Sequence, residues 1–266
     1  VAMAHEIGRT ADAAEFADAA NTLTHWINEH LWSERTGFYH DRRADGTLIE
    51  DVQTIGAYWA LLAGVVPPER LPRFLAPLDD PAAFCCTHRV PSLSANTPGF
   101  DPGGGYWRGG VWPPTNYMLL RGLTAVGRAD LAHAIGRNHL ENVTSSFVST
   151  GTLWENYAPD AAGQGCSTPD FVGWTGLPPV AVLFEDVFGI HADATTQRVV
   201  WHVRLTEAHG IANYPVGDRG TLTLRCAARP TPETEPEITA TADTDVILDI
   251  HWPRGHRICR LPHDNA

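Results

Sequence analysis

Apolar residues recur along the first part of the chain at the three- and four-residue steps of a helix. Phe16, Ala20, Leu23, Ile27 and Leu31 fall on one face, which predicts an amphipathic helix. Its stop is the polar Ser33-Glu34-Arg35-Thr36 turn and Gly37, since glycine readily ends a helix. Phe38-Tyr39-His40 and Thr47-Leu48-Ile49 flank Asp45-Gly46, a dipeptide suited to a tight turn, and predict a small hairpin. Ile55, Trp59 and Leu62 mark a second helix, closed by Gly64 and Pro67-Pro68. A short helix is predicted over 69–78, and further helices near 116–125, 130–147 and 175–188.

Residues 87–112 break this rhythm. Gly99, Gly103, Gly104, Gly105, Gly109 and Gly110 fall there with Pro91, Pro98 and Pro102, beside Tyr106, Trp107 and Trp112. That is too many breakers for a regular element and too many aromatics for a plain linker. A second loop covers 151–169. From Gln197 the period changes. Val199-Val200-Trp201-His202-Val203, Thr221-Leu222-Thr223-Leu224 and Val246-Ile247-Leu248-Asp249-Ile250 are strand-like runs separated by turn residues. The division expected is a helical region over 1–194 and an antiparallel β region over 195–266, so the fold class is mainly α with a small β part.

Composition narrows the chemistry. The formal net charge is −12, which argues against nucleic acid and anionic membrane as partners, because both need a basic face. No run of 18 apolar residues exists to span a bilayer. All basic side chains other than histidine are arginines, so a lysine Schiff base or a phosphate-loop lysine is excluded. Cys85, Cys86, Cys166, Cys226 and Cys259 are odd in number and lack metal spacing; they suggest a reducing, cytoplasmic setting and no disulfide framework. The thirteen histidines are scattered, so no metal and no other cofactor is expected.

Three stretches carry the candidate chemistry. In Gly105-Tyr106-Trp107-Arg108-Gly109-Gly110-Val111-Trp112-Pro113-Pro114-Thr115-Asn116-Tyr117, the aromatics offer platforms for the apolar face of a sugar. Arg108 and Asn116 offer hydrogen-bond donors to its hydroxyls. An equally simple reading packs these rings in the core. In Thr152-Leu153-Trp154-Glu155-Asn156-Tyr157, a carboxylate between aromatics can serve as a base in a cleft, or be an ordinary loop glutamate. In Asp170-Phe171-Val172-Gly173-Trp174-Thr175, Trp174 either floors a site or anchors a helix.

Taken in order, these stretches resemble the trehalase-like and family 63 glycoside hydrolases, above all the bacterial branch with mannosylglycerate and glucosylglycerate hydrolases. The resemblance is carried by Tyr106 to Trp112, Glu155 to Tyr157 and Trp174-Thr175. Leu31-Trp32-Ser33-Glu34, Gly37-Phe38-Tyr39 and Leu61-Leu62-Ala63-Gly64 support it, over roughly residues 5–190. It implies the C-terminal half of an (α/α)6 toroid and inverting hydrolysis of a small α-glucoside or α-mannoside. Glu155 is then the general base, with Tyr106, Trp107, Arg108, Trp112, Asn116, Tyr157 and Trp174 around the sugar. The family's general acid is an aspartate upstream of this region, and no counterpart follows Val1. Asp101 and Asp170 are the acids near the aromatic loops. The activity of these residues by themselves is therefore expected to be incomplete. Two other readings remain: a non-catalytic carbohydrate-binding remnant, and a purely structural helical domain.

Overall fold

The computed structural model describes residues 1–218 and 220–262. They fall into two compact units, one of Val1–Ala132 with Glu141–Thr175, the other of His133–Leu140 with the described residues from Gly176 onward.

In the first unit, helices α1 (Ala2–Glu6), α2 (Thr10–His30), α3 (Trp59–Leu62), α4 (Leu71–Leu75) and α5 (Pro113–Ala125) are joined by long loops, and α6 (Ala129–Thr150) follows. Helix α2 forms where the periodicity places it, but Phe16 and Leu23 on its apolar face are exposed, as is Trp26. Its C-terminal end is anchored at Asn28, which accepts from Tyr39 Oη (2.6 Å) and Arg70 Nη1 (2.7 Å) and donates to the Val65 carbonyl. The expected hairpin is smaller than its flanking residues suggest. Arg43 N donates to Thr47 O and Ile49 N to Asp41 O, whereas Phe38–Tyr39 (β2) pairs with Trp32–Ser33 (β1).

The fully buried rings of Phe38, Tyr58, Phe74 and Phe84 fill the centre of this unit. Their centroids lie 4.8–5.4 Å apart at the Tyr58–Phe74, Phe38–Phe74 and Phe38–Tyr58 contacts, distances at which aromatic pairing adds to apolar burial. The second predicted helix starts as a 3-10 turn over Ile55–Tyr58 and runs on as α3. It packs on α5 where Gly122 offers no side chain; a Cβ there would come within 2.9 Å of Leu61 Cβ. Pro113 and Pro114 occupy the first turn of α5, where the missing N–H is not needed.

In the second unit a π-type helix covers Pro178–Phe188 and ends at Gly189, whose φ of 77° is left-handed. Strands β3 (Ile190–Asp193), β4 (Arg198–His202), β8 (Val246–Trp252) and β9 (Gly255–Leu261) form one sheet in the order β3-β4-β8-β9. Strands β5 (His209–Val216), β6 (Gly220–Cys226) and β7 (Ile238–Ala242) form another. Pairing is antiparallel except between β4 and β8, which run parallel with Trp201 opposite Ile250. The strands are therefore not all antiparallel as expected. Trp201, Val203, Leu222, Leu224, Leu248 and Ile250 from both sheets close one apolar core, the arrangement of a small sandwich. Among the described residues no helix is long and apolar enough to cross a membrane.

Candidate active site

Two loops of the first unit meet through backbone hydrogen bonds. Val111 N donates to Tyr157 O (2.8 Å) and Tyr157 N to Val111 O (3.0 Å). On its other side the 154–157 segment meets residues 164–169, with Glu155 N donating to Thr168 O (3.1 Å) and Gly165 N to Asn156 O (3.2 Å). The Glu155 segment is thus a bent rung held between the glycine-rich aromatic loop and the chain leading to Trp174. Cys166 N, bonded to Gly104 O at 3.0 Å, ties the outer edges together. Val111, Val143 and Tyr157 are buried beneath, with Leu153 and Trp154 packed against them.

The aromatic residues do cluster. Trp107 stacks on Trp112 with centroids 4.2 Å apart and planes 9° from parallel. Tyr106 meets the Trp112 edge at 4.9 Å and Trp174 meets it at 6.1 Å, both T-shaped. Their depths differ. Trp112 is 1 % exposed, while Tyr106, Trp107 and Trp174 are 47, 51 and 42 % exposed. Trp112 is thus a floor, and three half-exposed rings rise from it. Trp174 Nε1 donates to the Glu155 carbonyl at 3.3 Å, which places the base candidate at the rim of this wall. Glu155 itself is partly exposed.

The glycines explain why the loop takes this path. Gly109 has a φ of 138°, a conformation open to glycine and costly for other residues. A Cβ on Gly110 would sit 2.5 Å from the Tyr106 carbonyl oxygen and 3.1 Å from Trp112 Nε1, so the turn of the loop around this indole needs glycine there. Tyr106 has a φ of 57°, a strained left-handed conformation for a bulky residue, and such strain clusters at functional loops.

Arg108 is exposed beside Asp101, Nη2 to Oδ2 3.8 Å. Asn116 and Tyr157 stand differently from the sequence expectation. Asn116 is fully buried; its Oδ1 accepts from Val90 N (2.8 Å) and its Nδ2 donates to Val90 O and Trp112 O. Its donors hold the loop and are not offered to a ligand. Tyr157 is also fully buried, its hydroxyl accepting from Trp154 N at 3.3 Å; burial raises its pKa. Both sit behind the wall, because residue type read from sequence carries no information about depth.

The two other acids are engaged locally. Asp170 Oδ1 accepts from Thr152 Oγ1 at 2.6 Å, and Asp101 Oδ1 accepts from Gly103 N at 2.9 Å. Phe171, whose ring packs 5.3 Å from Trp174, and Asn156 belong to the same cluster although the sequence reading gave them no role. Both lay within quoted stretches, Asn156 beside Glu155 and Phe171 beside Trp174, but no residue-type argument gave either a part. Among the described residues no group of three or more His, Cys, Asp or Glu is disposed to hold a metal ion.

The main chain of Glu155 is thus bonded to a cluster of indoles in the first unit. The chain belongs to the mannosylglycerate hydrolase MGH1-like glycoside hydrolase domain family, whose model matches residues 1–175. A probable mannosyl-oligosaccharide glucosidase of Schizosaccharomyces pombe is 30 % identical over 192 residues, 66 % of this chain and 23 % of that protein. An uncharacterized protein of Borreliella burgdorferi is 25 % identical over 197 residues, 70 % of this chain and 41 % of its own length. Among solved structures, the neutral trehalase of Saccharomyces cerevisiae shares the fold at 18 % identity. Its TM-score is 0.50, with 64 % of this chain and 30 % of that chain covered. The chain therefore spans less than half the length of these proteins.

Proposed function

We propose that these residues form the base-bearing part of a glycoside hydrolase that cleaves a small α-glucoside or α-mannoside with inversion. The observation that carries this reading is the position of Glu155 at the rim of the Trp107–Trp112–Trp174 wall, bonded to Trp174 through its own carbonyl. A sugar ring laid on the exposed indoles buries its C–H face there and turns an edge towards Glu155. The Glu155 carboxylate then takes a proton from water as the water attacks the anomeric carbon.

Inversion needs a second carboxyl group on the opposite face, about 6.5–9.5 Å from the first, to protonate the leaving oxygen. Asp101 and Asp170 each hold a neighbouring loop, which supports assigning the acid to neither. The family resemblance supports an acid outside these residues, and helices α2 to α6 as part of an (α/α)6 toroid that presents both groups. The family match over residues 1–175 supports a glycosidase reading. The five unpaired cysteines favour a reducing compartment such as the cytoplasm.

The test is to incubate the full-length protein with a panel of α-glucosides and α-mannosides and follow the released sugar by proton NMR. The β-anomer forming first supports the reading. First release of the α-anomer rules out a single displacement with Glu155 as its base.

A further inference from the structure

Asn156 is at odds with its surroundings. It is 0 % exposed, yet neither its Nδ2 nor its Oδ1 has a hydrogen-bond partner. An amide taken out of water without compensation costs stability, and such groups are rare in folded proteins. Leucine has a similar shape and would fill the same space without that cost. Folding alone therefore gives no reason for an amide here, and residues that break a local rule tend to serve function.

Its position supplies the reason. The main chain of Asn156 is fixed, its carbonyl accepting from Gly165 N (3.2 Å) and Ser167 Oγ (3.1 Å). Its side chain lies in the gap left by two glycines. A Cβ on Gly165 would overlap Oδ1, and one on Gly110 would stand 3.3 Å from Cγ and 3.1 Å from Trp112 Nε1. The unused amide thus sits directly behind Glu155 in the chain and against the glycine that adjoins the Trp112 indole. That indole N–H makes a long bond, 3.3 Å, to the carbonyl of Tyr106, the residue with the left-handed φ of 57°. The loop carrying Tyr106 and Trp107 is strained, its indole bond is weak, and Asn156 brings unused hydrogen-bonding atoms to the same glycine.

We propose that Asn156 is a positioning residue that couples the Glu155 rung to the Trp107–Trp112 platform when a sugar is bound. It does not touch the sugar. Pressure of the sugar on Trp107 passes through the stack to Trp112, whose indole and the adjoining Tyr106 carbonyl engage the Asn156 amide. Platform and base are then held in one register for the transition state. This rests on the assignment of Glu155 as base, but the structural coupling is separately measurable.

The experiment uses Asn156→Leu and Asn156→Asp in the full-length protein. Because no hydrogen bond is lost in the unliganded state, Asn156→Leu is expected to melt at or above the parent temperature. Its kcat is expected to fall by about 10-fold or more, the scale of a lost transition-state interaction, with KM within about twofold. Asn156→Asp keeps the shape, and as a buried carboxylic acid it mimics the amide only while protonated. Its turnover relative to the Leu variant is expected to be higher at pH 5 than at pH 8.

The second readout does not need turnover. The ¹⁵N–¹H signal of the Trp112 indole is followed as methyl α-glucopyranoside or methyl α-mannopyranoside is added. The parent signal is expected to shift, and the response is expected to be lost in Asn156→Leu. Parent protein that binds these sugars and shows the indole response, but hydrolyses no glycoside, sinks the base assignment and leaves the coupling standing. A Leu variant with parental kcat and indole response overturns the coupling. So does a Leu variant that melts several degrees lower, because Asn156 is then an ordinary structural anchor.

Discussion

Trp107 and Trp112 form a single stack but stand in different surroundings, so their removal has different consequences. Trp107 is half-exposed, and Trp107→Ala is expected to weaken binding of a small α-glycoside by about 1–3 kcal/mol while leaving the melting temperature nearly unchanged. Trp112 lies under it, 1 % exposed, and Trp112→Ala is expected to cost about 3–5 kcal/mol of stability as well as binding, because it opens a cavity below the platform. Titration calorimetry with thermal melts separates the two, and unchanged affinity in Trp107→Ala contradicts the platform assignment. At this scale the sequence identified which residues gather but not how deep each one lies. Residue type gave no means to distinguish the exposed Trp107 from the buried Asn116, whose amide binds the Val90 backbone. Residues separated by tens of positions decide which side of the wall faces solvent.

Secondary structure was legible where it rests on local periodicity and illegible where it rests on distant pairing. Helix α2 follows from a 3.6-residue repeat, and α5, expected near 116–125, starts three residues earlier at Pro113. The repeat marks which face is apolar, not what covers it, and Phe16 and Leu23 of α2 face solvent. The pairing of Phe38–Tyr39 with Trp32–Ser33 involves two residues per strand, too few to leave an alternating pattern. The parallel pairing of β4 with β8 joins segments about fifty residues apart, and no local signal specifies it. That same pairing has a measurable consequence. It sets His202 against His251, ring centroids 4.9 Å apart. Burial, then the nearby positive charges of Arg204, His251 and His191, lower the His202 pKa to about 4. Between pH 6.5 and pH 4 the unfolded chain binds a proton at this residue and the folded chain does not, so stability falls as pH falls through that window and is level above it. His139, lowered to about 3 by burial, adds to the same trend. Asp249 is pushed up by burial, but hydrogen bonds from Arg198 and His251 hold it below its ordinary value; its contribution begins to be lost at the acid end of this range and adds to the same trend in parent and variant alike. Urea unfolding from pH 4 to 7 is expected to show a shallower pH slope for His202→Gln than for the parent, and equal slopes contradict the assignment.

For the whole molecule, the family was legible because Tyr106 to Trp112, Glu155 to Tyr157 and Trp174-Thr175 stand in order along the chain, and the family match over residues 1–175 bears this out. The chemistry was legible only in part, since one carboxylate cannot both activate water and protonate the leaving group. Backbone bonds from two loops, Tyr157 to Val111 and Glu155 to Thr168, fix the main chain that carries Glu155, which fits the base role proposed for it. The most direct measurement of that central claim is steady-state kinetics and sugar binding of Glu155→Gln in the full-length protein, on whichever α-glycoside the parent hydrolyses. Glutamine keeps the size and the backbone bonds and removes only the ability to take a proton. The account predicts a kcat lower by about 10²–10⁴-fold with sugar affinity almost unchanged, because a base acts in the transition state and not in ground-state binding. A Glu155→Gln protein that keeps most of the parental kcat contradicts it.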